Sequence, residues 1–297
     1  MSTTFVKHAA SGVLREALNT YENIINLIIF FTKMFIKNML ISYSGTIKSI
    51  QDVLNIIDKA GIYKSPHSYL RNWFRGQTSH FDLQPGVYRK GFNVINEEER
   101  LRKEQHLSQD FRVQSANLFK NPVTDVERYF VQQHYGMPTR LLDWSTSPLA
   151  ALYFATLSDD DEDGEFYMMD AFELSATQNA KNAFEGVITS RHPIFDKALN
   201  AIFLWLTVDR LPDYIIPVRP DLTDIRINQQ KGCFTFHVPE HPILSDKQNK
   251  SLKLYQIPAG NKQNIRSQLK VLGVDNFNIF HDLESLAKTI KINHEIG

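Results

Sequence analysis

Cysteine is nearly missing from this chain of 297 residues, in which Cys233 is the single example. An intrachain disulfide is therefore excluded, and so is a metal site built from several cysteines of one chain. Such low cysteine usage is typical of a reducing compartment, so we expect a cytoplasmic protein.

An imbalance of charge is missing as well, because 33 Lys and Arg residues are matched by 33 Asp and Glu residues. No overall charge draws the chain to nucleic acid or to an anionic membrane, so any such binding needs a local patch. The ten histidines are scattered along the chain, and we expect no bound metal.

An uninterrupted apolar run long enough to cross a bilayer is also missing. The best candidate, residues 24–41, contains Lys33 and Lys37, and each lysine is costly at the centre of a membrane. We therefore expect residues 1–45 to form an amphipathic helical extension that packs on the body or on a partner. Membrane association of this segment is the alternative.

Hydrophobic residues make up 42% of the chain, which is ample for a sizeable core. Helical periodicity dominates the first half and strand-like runs dominate the second, so we predict an α+β fold with a mostly antiparallel, twisted sheet flanked by helices. The predicted elements are helix 47–58, strand 70–75, helices after Asn96 and Thr124, strand 139–144, a helix after Ser147, strand 165–171, helix 196–207, strands 214–218, 232–238 and 252–257, and two C-terminal helices.

The first candidate site lies at Arg75, Gly76 and Gln77, at the end of a predicted strand. Arginine offers a planar set of donors for a phosphate or a carboxylate, and glycine lets a ligand approach the backbone closely. The alternative is an exposed or ion-paired arginine with no ligand.

A second candidate site lies in the turn between a predicted helix and a predicted strand. His134, Arg140 and Asp143 bring hydrogen-bonding side chains together there. His134 could act as a general base that Asp143 orients. The alternatives are a core histidine that holds the loop, and a buried ion pair of Arg140 with Asp143.

The third candidate is Ser145-Thr146-Ser147, which joins that strand to an apolar helix. Ser147 is expected to cap the helix, with Pro148 at its first position. Hydroxyl groups beside a helix N-terminus can also hold an anionic or amide-bearing ligand, and both roles are compatible.

Two stretches resemble the FRG domain, a family named for its Phe-Arg-Gly. They are Trp73-Phe-Arg-Gly-Gln77 and the long block at residues 133–155. Residues 226–234 and 279–287 resemble later elements of the same family. The resemblance covers residues 46–297, which we take as one domain, and it implies no particular reaction.

A weaker resemblance is to the Arg-Ser-Glu class of ADP-ribosyltransferases. In that class an arginine binds a phosphate of NAD, a Ser-Thr-Ser shapes the nicotinamide-ribose pocket, and a glutamate stabilises the ribose as it is cleaved. Arg75 and Ser145-Thr146-Ser147 match the first two elements. The third position is Gln230 or Gln229, which carries no charge. Either Asp143 or Glu165 supplies the acid instead, or the site binds a nucleotide without cleaving it.

The leading hypothesis is an NAD-dependent ADP-ribosyltransferase-like enzyme, a bacterial toxin or phage-defence effector. NAD would be its substrate, a protein or nucleic acid its acceptor, and an inhibitory protein a possible partner. Its catalytic residues would be Gln230, Arg75, Ser147 and His134, and its NAD contacts Arg75, Gly76, Gln77, Ser145, Thr146, Ser147 and Arg140. The alternatives are a module that recognises a nucleotide or nucleic acid without turnover, and a His-Asp hydrolase.

Overall fold

The computed structural model describes residues 41–64, 68–119, 122–158, 160–177, 184, 186–208, 211–221, 225–244 and 251–294. Ser44–Gly297 form a compact unit. Nearly all of the predicted N-terminal extension, residues 1–40, lies outside the described residues. Within the described ranges no helix has the length and apolarity that a membrane crossing needs.

The strands of the described chain join in one sheet with the order β1-β8-β4-β2-β3-β7-β6-β5. Their bounds are β1 Gly45–Thr46, β2 Asn72–Gln77, β3 Leu141–Ser145, β4 Gly164–Asp170, β5 Ile188–Thr189, β6 Ile216–Arg219, β7 Gly232–Phe236 and β8 Leu252–Ile257. β1 runs parallel to β8 and β5 parallel to β6, whereas the remaining neighbours are antiparallel. The mixed fold with a mostly antiparallel sheet is therefore confirmed.

The α-helices lie before, between and after these strands. They are α1 Ile50–Ala60, α2 Ser68–Arg71, α3 Glu97–Gln114, α4 Asp125–His134, α5 Pro148–Ala155, α6 Ala171–Thr177, α7 Pro193–Phe203, α8 Ile225–Gln229, α9 Ala259–Val271, α10 Asn276–Phe280 and α11 Leu283–Asn293. The chain thus ends in three helices where the sequence predicted two, because a turn near Gly273, which has a φ of 76°, separates α9 from α10.

Helix starts follow the predicted capping residues. The side chains of Asn96, Thr124 and Ser147 accept from backbone N–H groups of the first turns of α3, α4 and α5. The spacing of Leu101, Phe111 and Leu118 predicts that all three face the core; Leu101 is buried, but Leu118 lies beyond the end of α3 and is 76% exposed, so the prediction was wrong there. α3 instead buries the polar residue Glu104, which has a partner inside the protein.

A seam divides the sheet between β2 and β3. Along its whole length β2 pairs with β4, and β3 likewise pairs with β7. In the described strands β2 and β3 share one register pair, Phe74 with Ser145. The sheet is therefore two four-stranded halves that diverge beyond this pair.

Each half carries its own hydrophobic core. Alternation along the strands and the register across the seam place both cores on the same face of the sheet. In the first half, α1, α5 and α9 pack on β2, β4 and β8. In the second half, α4 and α7 pack on β3, β6 and β7. The helices of the two cores leave a cavity where the seam opens.

Candidate functional site

A cavity of about 290 Å³ lies at the seam and receives residues from both halves. β2 and α5 line it from the first half, and α4, β3, α8 and β7 line it from the second. Its lining residues are Phe74, Arg75, Gly76, Phe130, Gln133, His134, Asp143, Trp144, Ser145, Ala151, Phe154, Arg226, Ile227, Gln230, Gly232 and Phe234. We call this cavity the seam pocket.

Arg75 belongs to the interior of β2 and lies beside the opening of the seam. Alternation along β2 starts its side chain on the face of the sheet opposite the two cores, the face of Gln77, and the guanidinium reaches β3 across the seam. Its Nη1 donates to the backbone carbonyl of Asp143 at 2.7 Å, and its Nε donates to Oε1 of Gln77 at 3.3 Å. The side chain is 16% exposed, and burial lowers the pKa of Arg75 while the nearby carboxylate of Asp143 opposes that shift. Arginine stays charged at neutral pH, so Arg75 brings a positive charge to the pocket.

Asp143 supplies the carboxylate in the described lining of the pocket. Its Oδ2 accepts from Nε2 of Gln133 at 2.9 Å and lies 4.0 Å from Nη1 of Arg75. The side chain of Asp143 is 58% exposed, so its charge remains accessible to a ligand. Gln133 is held in turn by the hydroxyl of Thr139, which donates to its Oε1 at 2.5 Å.

Only one residue of the predicted Ser-Thr-Ser element is among the described lining residues of the pocket. Ser145 lines the pocket, and its Oγ donates to the carbonyl of Gln230 at 2.6 Å. Thr146 and Ser147 are not among the lining residues described, and Ser147 caps α5 by accepting from the N–H of Ala150 at 3.3 Å. The Oγ of Ser145 also accepts from the N–H of Ser147 at 2.9 Å, so Ser145 fixes the turn that brings Gln230 to the seam.

Gln230 follows α8 in a turn just before β7. Its Nε2 is buried and has no hydrogen-bond partner among the described residues. A buried donor without an acceptor is costly, so this group is suited to an oxygen of a ligand. Gln229, the other candidate for the third position, is exposed.

Arg226 also lines the pocket and was not predicted as a site residue. It lies four positions before Gln230, and residues four apart share one side of a helix. That spacing is the sequence signal that could have found it. The guanidinium carbon of Arg226 lies 4.6 Å from the ring centroid of Phe280.

Gly76 is required by the packing of α5 on β2. A Cβ on Gly76 would lie 1.8 Å from the carbonyl oxygen of Ala151 and 2.5 Å from the nitrogen of Ala155. The sequence analysis assigned this glycine to close approach of a ligand. Its first role is close approach of a helix, although the residue also borders the pocket.

Arg140 lies away from the seam pocket and is fully buried. Its Nε donates to Oε2 of Glu104 at 2.7 Å, and its Nη1 donates to the hydroxyl of Tyr88. Tyr129 donates to the other oxygen of Glu104 at 2.7 Å. Burial opposes the charge, yet Glu104 raises the pKa of Arg140 above its ordinary value. The prediction of an ion pair between Arg140 and Asp143 was wrong. Arg140 is paired with Glu104, whereas the carboxylate of Asp143 contacts Gln133 and lies near Arg75.

Gln77 and Glu165 lie on the opposite face of the sheet from the two cores. Gln77 is buried and its Nε2 donates to the carbonyl of Phe81 at 2.9 Å. Glu165 is fully buried and accepts from the hydroxyl of Tyr167 at 2.6 Å. Neither belongs to the described lining of the pocket, so Asp143 rather than Glu165 is the acid nearest to Arg75 there.

His134 ends α4 and borders the seam pocket. In the described part of the chain, the carboxylate of Asp143 contacts Gln133 and Arg75, and no hydrogen bond joins it to His134. The His-Asp pairing that a hydrolase needs therefore has no geometric support here.

His237 and His241 have the four-residue spacing of a metal-binding pair, which the sequence analysis overlooked. Within the described ranges no group of three or more metal-ligating residues is found. The ring of His237 is buried between Oγ1 of Thr235, at 2.9 Å, and the carbonyl of His241, at 3.1 Å. Both ring nitrogens thus have protein partners, which makes His237 a structural residue.

The comparisons with known proteins bear on the central part of the chain. Residues 70–164 match the family model described as the FRG domain. This stretch includes Arg75, His134, Asp143 and Ser145, whereas Arg226 and Gln230 lie beyond it. Neither the curated proteins nor the solved structures gave a match. The chain carries an FRG domain, as its sequence indicated.

Proposed function

We propose that the seam pocket binds NAD and that the protein transfers the ADP-ribosyl group to a macromolecular acceptor. The observation that carries this proposal is the convergence of Arg75, Ser145 and Gln230 on one pocket, from β2, β3 and the turn before β7. These residues are far apart in sequence, and the resemblance to ADP-ribosyltransferases requires all three at one ligand.

The lining chemistry suits a nucleotide. Two arginines supply positive charge for phosphates, and Phe74, Phe130 and Phe154 supply apolar rings against which a planar base can pack. The opening of the seam beyond the register pair of Phe74 with Ser145 leaves room for such a ligand between β2 and β3.

In the proposed reaction a nucleophile of the acceptor attacks C1 of the nicotinamide ribose. The bond between C1 and the nicotinamide nitrogen breaks, nicotinamide leaves with the bonding electrons, and the acceptor loses a proton. Positive charge develops on the ribose during this step, and a carboxylate close to it lowers the barrier. Asp143 supplies that carboxylate, Gln230 donates to a ribose hydroxyl, and Arg75 binds a phosphate.

The proposed acceptor is a protein or a nucleic acid. A toxin or phage-defence effector fits an enzyme that modifies macromolecules, and an inhibitory partner protein would protect the cell that makes it.

Release of nicotinamide from NAD by the purified protein, with and without cell extract as a source of acceptor, tests this function. We expect release by the wild type and at least a hundredfold slower release by Asp143→Asn, as for loss of an electrostatic contribution of about 3 kcal/mol. Asp125→Asn, which alters an exposed ion pair on α4, is the matched control and should behave as the wild type. Absence of nicotinamide release under all conditions would refute the proposed enzymatic activity.

Recognition of a nucleotide without turnover is the second candidate function. The observation that favours it is the uncharged amide of Gln230 at the position where the transferase class has glutamate. This candidate predicts that NAD stabilises the protein against heat while no nicotinamide is released.

A further inference from the structure

Arg226 differs from Arg75 in what surrounds its charge. The side chain of Arg226 has no hydrogen bond and no carboxylate within 4.0 Å among the described residues, although Arg226 lines the seam pocket. Its environment is the ring of Phe280 in α10, at 4.6 Å. A guanidinium that stacks on an aromatic face keeps the donors at its edge available.

Arg75 has already committed part of its hydrogen-bonding capacity to the protein. Its Nη1 and Nε donate to Asp143 and Gln77, and the carboxylate of Asp143 lies 4.0 Å away. The charge of Arg75 is therefore partly compensated before any ligand arrives. Arg226 is the less compensated of the two arginines that line the pocket.

Three other charged or titratable groups face Arg226 or the pocket. Asp282, which caps α11, is exposed and lies beyond 4.0 Å from the guanidinium of Arg226. Hydrogen bonds from Ser285 lower the pKa of Asp282, and the positive charge of Arg226 adds to that shift, so Asp282 compensates Arg226 only from a distance. His134 borders the same pocket, and Asp143 lies beside Arg75. The described lining contains the two arginines Arg75 and Arg226 against the single carboxylate of Asp143, so an anionic ligand is favoured.

We propose that Arg226 is the principal contact for the diphosphate of the ligand, with Gln230 donating to a neighbouring oxygen. This proposal deepens the proposed function and depends on it for the choice of pocket. It goes beyond the resemblance, which gives the phosphate to Arg75 alone. The ligand class is a diphosphate, either free or within a dinucleotide such as NAD.

The pairing of Arg226 with Gln230 follows from α8. Arg226 and Gln230 are four residues apart, and the N–H of Gln230 donates to the carbonyl of Arg226 at 2.9 Å, so both lie on one side of the turn. The Nε2 of Gln230 is buried without an acceptor among the described residues. A phosphate or ribose oxygen held at Arg226 would satisfy this donor and remove the cost of leaving it unpaired.

Calorimetric titration of the full chain with inorganic pyrophosphate, and separately with NAD, tests the proposal. Arg226→Ala should weaken both affinities about 10- to 100-fold, the range for charged hydrogen bonds. Arg75→Lys should weaken them about fivefold, and Phe280→Leu should lie between the wild type and Arg226→Ala, because the stacking that orients the guanidinium is lost. Arg112→Lys, at an exposed ion pair on α3, should bind as the wild type does.

The outcomes separate this inference from the function on which it rests. Loss of pyrophosphate binding in Arg226→Ala, with unchanged thermal stability, supports the inference even if the wild type releases no nicotinamide. Wild-type affinities in Arg226→Ala overturn it, even if NAD is cleaved. A larger loss in Arg75→Lys than in Arg226→Ala also overturns it, because the phosphate would then lie at Arg75. An absence of binding of both ligands to the wild type overturns the inference and the proposed function together.

Discussion

Two regions of this molecule are built around an arginine, yet they differ in whether the guanidinium is hydrogen-bonded to the protein. In the Arg140 cluster, formed by Tyr88, Glu104, Tyr129 and Arg140, the guanidinium is fully buried and hydrogen-bonded to a carboxylate and a phenol. In the seam pocket, the guanidinium of Arg226 has no hydrogen-bond partner among the described residues. The first arrangement stabilises the fold, and we propose that the second binds a ligand.

The comparison shows that residue type and sequence position do not separate a structural arginine from a functional one. Arg140 lies in the most characteristic stretch of the FRG resemblance and is nevertheless internal. The distinguishing property is whether the donors of the guanidinium are used by the protein. The predictions below test the Arg140 cluster, the packing and charge beside the seam pocket, and a buried histidine outside both regions.

The largest expected effect is that of Arg140→Ala on stability. Removal of the arginine leaves the fully buried carboxylate of Glu104 without its counter-ion, which costs about 3–5 kcal/mol. Chemical denaturation should report this loss as a lower free energy of unfolding.

Arg112→Ala is the matched control for this prediction, because its ion pair with Asp125 is 3.5 Å long and exposed. It should cost less than about 1 kcal/mol. Equal losses in Arg140→Ala and Arg112→Ala would contradict the structural role of the Arg140 cluster.

The next largest effect on stability is expected for Gly76→Ala, because Gly76 packs against α5 and also borders the seam pocket. The added methyl group would meet the backbone of α5, 1.8 Å from the carbonyl of Ala151, and backbone cannot move aside cheaply. We expect a loss of stability of about 1–3 kcal/mol or more, measured by thermal and chemical denaturation. Gly91→Ala, where nothing lies within 4 Å of the added methyl group, is the control and should change little. A stable Gly76→Ala protein would instead restore the assignment of this glycine to ligand approach alone.

Acid should destabilise the protein through His237. Burial lowers the pKa of His237 to about 3, whereas the unfolded chain protonates near the ordinary value of 6.5. Between these values the unfolded state binds one more proton than the native state, so stability falls by about 1.4 kcal/mol per unit as the pH decreases.

His237→Gln should remove one proton from that dependence, which is measured as a shallower slope of unfolding free energy against pH between about 6 and 4. His294→Gln, at an exposed position, serves as the comparison and should keep the full slope. An unchanged slope in His237→Gln would show that other groups dominate the acid response.

The sequence predicted the positions of helices and strands better than the roles of individual residues. The capping residues Asn96, Thr124 and Ser147 were correctly identified, because capping is a local interaction between neighbouring residues. Strand 252–257 was predicted with the observed bounds, since its apolar run is short and clearly bounded. Local chemistry of this kind can be recognised without knowledge of the tertiary structure.

The seam and its pocket depend on contacts between distant segments, and no local pattern encodes them. The single register pair of Phe74 with Ser145 joins residues 71 positions apart in a described sheet of eight strands. The partner of Arg140 was missed for the same reason, because Glu104 reaches it from α3, 36 positions earlier. Arg226 was missed because the resemblance directed attention to Gln230.

The smallest expected effect is that of Arg75→Lys, which should act on binding and not on stability. Lysine keeps the charge but cannot supply two parallel donors, so we expect a loss of about 1 kcal/mol in NAD affinity. The temperature of unfolding without ligand should stay close to that of the wild type. The reverse pattern, with lower stability and intact affinity, would place Arg75 with Arg140 as a structural arginine.

A crystal structure determined with NAD tests the central claim most directly, since the claim concerns where the ligand lies. The account predicts the diphosphate within hydrogen-bond distance of Arg226, the nicotinamide ribose beside Asp143 and Gln230, and the seam between β2 and β3 occupied. Crystals that contain NAD at another surface, with the seam pocket unoccupied at saturating NAD, would contradict it.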